Sequence, residues 1–282
     1  MDYSEIKARC NEESKLVQEV IDGFLLHFMA PKAGMTKRLT QAKQQYKHII
    51  KELPDQFFPK ASAEFIVGRT MMRGGLLGQH MNHPRIQQLG DPAISFLQAQ
   101  ERCPWRYVFG RIVARPAEQF FLLQDEIIGE ELLVFSPGMD AFCEAGHEAS
   151  LYFLLLGFNG MCWQSYGLIA PFRSFDMNDV CVFGTEVFSA IEDDQTFMAA
   201  VHRDPLPFFM LMIGQESPHL MSGEHELRHC VAEQDLPHMD PSRLAPDFTV
   251  AWNRGVCRIQ LDDWKAGPHF ASAYWDEGNQ VL

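Results

Sequence analysis

His225-Glu226-Leu227-Arg228-His229 is the sharpest catalytic pattern in the chain, because it satisfies the spacing H-E-x-x-H. On a helix the two imidazoles stand one turn apart on one face, where both can bind a zinc ion. The glutamate is then placed to take a proton from metal-bound water. On a strand the same residues divide differently: His225, Leu227, His229 and Val231 project to one face, and Glu224, Glu226, Arg228 and Cys230 to the other. That alternation puts the charges on one half-exposed face, and strand-like segments on both sides favour it. A strand without metal is the expectation; a zinc site is the alternative.

Asp235 follows His229 by six residues. From His225 to Asp235 the segment resembles the extended motif of metzincin-like proteases. The resemblance implies a zinc-dependent metallohydrolase with His225, His229 and Asp235 as ligands and Glu226 as the base. It departs from that family's pattern at Ala232, where the motif has glycine, and at Arg228, a charge where the family packs against its scaffold. Nothing else in the chain extends it.

Other combinations carry less. Cys143 with His147, and His80 with His83, have spacings that could share a metal on a helix, but no second pair stands near either in sequence. Gly74-Gly75-Leu76-Leu77-Gly78 has the composition of a phosphate nest, yet it neither follows a clear strand nor opens a strong helix, so it reads as a connector. The acid pairs Asp193-Asp194 and Asp262-Asp263 suit caps and turns better than paired acid-base work, since adjacent carboxylates point apart. No nucleophile elbow, P-loop or dinucleotide fingerprint is present. Seven cysteines lie scattered without a CxxC pair, which suggests reduced, buried thiols rather than a disulfide framework.

The elements that must position these residues are legible from periodicity. Ser4 to Phe28 and Lys37 to Lys51 have helical spacing; Ser62 to Arg73 and Pro92 to Gln100 are shorter helices. At Pro104-Trp105 the character changes. Tyr107 to Ala114, Gln119 to Gln124, Glu131 to Phe135, Leu151 to Phe158, Met161 to Ile169 and Val180 to Phe183 read as strands, with Asn159-Gly160 as a two-residue type I′ turn. A helix from Ser189 to His202 follows. After it, Pro207 to Ile213, Phe248 to Trp252, Val256 to Leu261 and Phe270 to Trp275 read as strands, with Asn253-Arg254-Gly255 as a three-residue loop. Only Gln280 to Leu282 remain for a return strand, so either that edge is very short or the natural chain continues.

The fold class expected is α+β: a helical N-terminal region over 1–103, a predominantly antiparallel meander forming a small barrel or curved sheet over 104–188, and an α+β part over 189–282. Composition agrees with a folded globular chain, at 282 residues with 46% hydrophobic and 22% charged. Met1 to Glu5 has no basic stretch followed by an apolar one, so no signal peptide is expected, and the longest apolar run, Leu151 to Phe158, is far short of the roughly 20 residues a membrane span needs. A soluble cytoplasmic protein is expected, with no membrane partner. Net charge is −13, although residues 31–60 hold seven Lys or Arg against two acids. Lys43, Lys47 and Lys51 stack on one helix face, which reads as a solvated surface, since one stripe on an acidic protein argues against nucleic acid. The functional expectation is a non-enzymatic binding protein for a protein or small-molecule partner, with no cofactor; the alternative is the zinc metallohydrolase.

Overall fold

The computed structural model describes residues 2–32, 34–52, 55–146, 149–172, 176–188, 190–211, 219–222, 225–228, 239–244, 248–253, 255–261 and 272–282. Helix α1 (Tyr3–Val20) continues through a π-helical stretch, Ile21–Met29, and a final turn, α2 (Ala30–Lys32). Its buried residues Ile6, Cys10, Glu13, Val17 and Val20 alternate four and three apart, so one narrow stripe faces the protein, with a carboxyl set into it. Then come α3 (Met35–Gln45), α4 (Lys47–Glu52), α5 (Phe57–Met71), the short turns α6 (Leu76–His80) and α7 (Pro84–Gln87), and α8 (Asp91–Arg102). Lys43, Lys47 and Lys51 are exposed while Ala42 and Tyr46 are buried, so the lysine stripe is the solvent face of α3 and α4.

Five strands form a closed barrel in the order β1-β2-β3-β5-β4. They are β1 (Arg106–Ala117), β2 (Phe120–Asp125), β3 (Glu131–Phe135), β4 (Leu151–Phe158) and β5 (Trp163–Phe172). All pairings are antiparallel except β3 with β5. The connection that the parallel pair requires runs through helix α9 (Pro137–Glu144), capped by the Ser136 hydroxyl, and then β4. Val108, Phe121, Leu123, Val134, Tyr152 and Leu154 cluster with Met139 of α9. Strand β4 is buried on both sides, because Leu151, Phe153 and Leu155 point instead into the helical core. This explains its unbroken apolar run. That outer core extends from Val17 to Leu211 and includes Tyr107 and Phe109 of the barrel.

The remainder comprises α10 (Met177–Val187), α11 (Asp194–Arg203), α12 (Leu206–Leu211), a hairpin of β6 (His219–Ser222) and β7 (His225–Arg228), and an antiparallel sheet of β8 (Phe248–Asn253), β9 (Val256–Leu261) and β10 (Ser272–Asp276). Val281 bridges back to Asp276. Among the described residues no helix is long and apolar enough to cross a membrane.

Four local expectations are corrected. Val180 to Phe183 lies within helix α10: Met177, Val180, Cys181 and Gly184 are buried at helical spacing behind an Asp176–Asp179 capping box. Pro207 to Leu211 belongs to α12, whose six residues are all buried, so their apolar run carries no period to distinguish helix from strand. Asn159-Gly160 opens a four-residue turn, since Phe158 pairs with Trp163, although Gly160 does take a positive φ of 92°. Asn253 pairs with Val256, which shortens that loop to two residues.

Candidate functional site

The H-E-x-x-H segment enters strand β7 at His225, and Glu226 and Arg228 pair with Met221 and His219 of β6. His229 and Asp235 lie outside the described residues, as do His147 and the Asp262-Asp263 pair. Among the described residues no group of three or more His, Cys, Asp or Glu is placed to hold a metal ion. His80 and His83 each direct Nδ1 to the backbone: that of His80 lies 3.0 Å from the Leu76 carbonyl, and that of His83 accepts from the Arg85 amide as the cap of α7. Asp193 caps α11 through Thr196, and those hydrogen bonds hold its carboxyl below the usual range.

Two other places gather polar chemistry. The first is a cleft of about 610 Å³ between the end of α5, the β2–β3 turn and α11. Helical spacing builds one of its walls, where Asp194, Met198 and His202 stack one turn apart beside Gln195, Ala199 and Arg203; another is the end of α5, with Arg69 in its last turn and Met72 and Arg73 just beyond it, Met72 extended and bridged to Trp105. The third wall is the turn itself. Asp125 Oδ1 accepts from the amides of Ile127 and Ile128 at 3.0 and 3.1 Å, and Gly129 takes φ 77°, which leaves Ile128 59% exposed at the rim. Burial pushes the Asp125 carboxyl up, against the pull of those two amides.

Arg69, Arg73 and Arg203 form no ion pair with any carboxylate among the described residues; Arg203 lies over the Phe188 ring, 5.6 Å from its centroid. His202 is mostly buried, and its imidazole is held below its ordinary pKa chiefly by that burial, with Arg106 adding to the effect and the Tyr107 backbone opposing it. Its Nε2 has no protein partner. The cleft thus offers guanidinium donors and a neutral imidazole, beside the Asp194 carboxylate, above a floor of Met72, Ile127, Ile128 and Met198.

The second place lies under α1. Cys10 of α1 and Cys162 of the β4–β5 turn are buried with Sγ atoms 3.5 Å apart. Asn159 is fixed by its own turn, since its Oδ1 accepts from the amides of Met161 and Cys162, both at 2.9 Å. Its Nδ2 is thereby aimed at sulfur, 3.1 Å from Cys10 and 3.7 Å from Cys162. Glu13, Gln164 and Tyr166 complete the surroundings. Gln164 donates to the Cys10 carbonyl and the Ser14 hydroxyl, and burial raises the Glu13 carboxyl against the pull of Arg9.

Sequence reasoning brought neither place together. The cysteines are 152 positions apart, and the cleft's arginines come from elements on either side of the barrel sequence. No family model matches the chain, and no curated protein or solved structure does either.

Proposed function

We propose that the protein is a binding protein whose cleft between α5, the β2–β3 turn and α11 takes a small ligand with an anionic head, carboxylate or phosphate, on an apolar body. The observation that carries this reading is the convergence of Arg69, Arg73 and Arg203, unpaired with acid among the described residues, on an apolar floor. A guanidinium fork matches two oxygens of a carboxylate or phosphate at once, and such charge-assisted bonds are the strong ones. Arginines placed only for solubility need no shared cavity. The net charge of −13 makes the location more telling, because the global field repels anions and attraction must come from short-range pairing inside the cleft. Volume agrees with a small ligand, since typical sites run from about 300 to 1,000 Å³.

Thermal denaturation and calorimetric titration with inorganic phosphate, octanoate and octyl phosphate test the proposal. The amphiphiles should raise the melting temperature at millimolar concentration, and inorganic phosphate should do so less, because it leaves the floor uncovered. The double variant Arg69→Gln, Arg203→Gln should lose at least tenfold in affinity, equivalent to about 1.4 kcal/mol. Equal stabilisation of wild type and double variant would place the ligand elsewhere. No response to any of the three would remove the proposal.

A further inference from the structure

We propose that Cys10 and Cys162 form a reversible disulfide, a redox latch that ties helix α1 to the barrel. This rests on the thiol centre alone and is independent of the cleft. The sulfurs lie 3.5 Å apart, so they must approach by only about 1.5 Å to reach the roughly 2.05 Å of a disulfide. The residues around them supply more than proximity. Asn159 keeps its amide donor on the pair because its oxygen is occupied by two backbone amides of the same turn. The positive φ of Gly160 shapes that turn.

The two thiols are inequivalent. Cys162 is the one that ionises more readily, because its hydrogen bond with Cys10, the Asn159 amide and the Phe135 backbone N–H favour its thiolate, against the cost of burial. Cys10 is pushed up, first by its hydrogen bond with Cys162 and then by burial. The other ionisable groups of the centre are Glu13, with Arg9 at 3.6 Å from its carboxylate, and the buried Tyr166 phenol. Cys162 is therefore the nucleophile and Cys10 the resolving thiol.

The oxidant is a small hydroperoxide. The Cys162 thiolate attacks the peroxide oxygen, an S–O bond forms, the O–O bond breaks, and the leaving oxygen takes a proton as water or an alcohol. Cys10 loses its proton to solvent and its thiolate attacks the sulfenic sulfur. The S–S bond then forms, the S–O bond breaks, and hydroxide leaves to become water. Two thiols and one hydroperoxide thus give one disulfide, water and an alcohol or a second water, and a dithiol reductant reverses the bond by exchange.

The mechanical consequence falls on α1. In the dithiol form that helix is held by Ile6 and Cys10 against Phe120 and Phe135, and by the Gln164–Ser14 hydrogen bond. The disulfide makes this attachment covalent across 152 positions of sequence. Oxidation should therefore suppress excursions of α1 from the barrel face beneath it.

The wild-type protein, treated with stoichiometric hydrogen peroxide and then unfolded under an alkylating agent, provides the test. Two of its seven thiols should escape alkylation, the mass before alkylation should fall by about 2 Da, and non-reducing peptide mapping should show Cys10 joined to Cys162. Amide exchange over residues 3–20 should slow relative to the dithiol form, and dithiothreitol should restore both. Cys10→Ser should leave a sulfenic acid at Cys162 that a dimedone probe traps, and Asn159→Ala should slow oxidation severalfold. Mapping needs no variant, so a folding defect in either substitution leaves the test intact. Seven alkylated thiols after treatment, or oxidation confined to the more exposed Cys103 and Cys143, would overturn the latch.

Discussion

The barrel meets its helices in two chemically opposite ways. On the β1–β4 side the contact is aromatic: Phe109 stacks on Phe153 at 4.6 Å, and Phe153 meets Phe209 at 4.9 Å and Phe208 at 5.9 Å. On the β5 side it is polar. Ser14 of α1 accepts from Gln164, Cys10 of α1 meets the Asn159 amide, Glu64 of α5 accepts from the Leu168 amide, and Gln100 of α8 accepts from the Trp105 indole. Apolar contact stabilises wherever surfaces fit, whereas a buried polar group contributes only when it is paired, and its contribution changes with protonation or oxidation. The first side should hold the fold under all conditions, and the second should make stability conditional.

The largest effect belongs to the aromatic side. Phe153 is fully buried among four other aromatic rings, Tyr107, Phe109, Phe208 and Phe209. Phe153→Ala should cost about 3–5 kcal/mol, from lost transfer energy and the cavity left behind. Urea denaturation measures this directly. A loss below about 2 kcal/mol would mean that the neighbouring rings collapse into the space, and the two sides would no longer differ in rigidity.

Glu64 makes the polar side depend on pH. Its Oε2 accepts from the Leu168 amide, Oε1 has no protein partner, and complete burial pushes its carboxyl well above the ordinary range. The folded state therefore keeps a proton that the unfolded state gives up near pH 4.5. Its relative stabilisation is complete below that pH and is lost as pH rises toward the folded value, at about 1.4 kcal/mol per unit. Glu64→Gln preserves the acceptor for Leu168 without the titration. Between pH 5 and 7 the variant should gain on wild type, and parallel stability curves would show that Glu64 is not held protonated.

How much could be read in advance follows the same division. The barrel strands and the long helices were legible because a half-buried element writes its period into neighbouring residues, as Lys43, Lys47 and Lys51 do opposite Ala42 and Tyr46. Leu206 to Leu211 defeats that logic, being buried all round. The α10 helix is hidden because Val180 to Phe183 shows no helical period by itself; Met177 and Gly184 complete its buried stripe. The thiol centre was illegible for a stronger reason: Cys10 fills an ordinary core position of α1, and only barrel closure brings Cys162 beneath it. The arginine cleft likewise exists only once α11 lies beside α5 and the β2–β3 turn.

The smallest effect tests the turn that carries the polar side. Gly160 has φ 92°, and a Cβ built there would meet nothing within 4 Å. Any cost of substitution must then come from the backbone, because crowding is absent. Gly160→Ala should destabilise by about 1 kcal/mol and Gly160→Val by somewhat more, since a β-branched residue tolerates positive φ worst. Both losses should appear in the denaturation midpoint with an unchanged slope, as expected for strain in the native state alone. If alanine proves neutral, the turn can relax to negative φ, and the Asn159 oxygen would no longer be bound to keep the amides of Met161 and Cys162. The donor aimed at the two sulfurs would then be free to turn away. A measured loss for alanine instead ties the strained glycine, the fixed carboxamide and the thiol pair into one rigid turn.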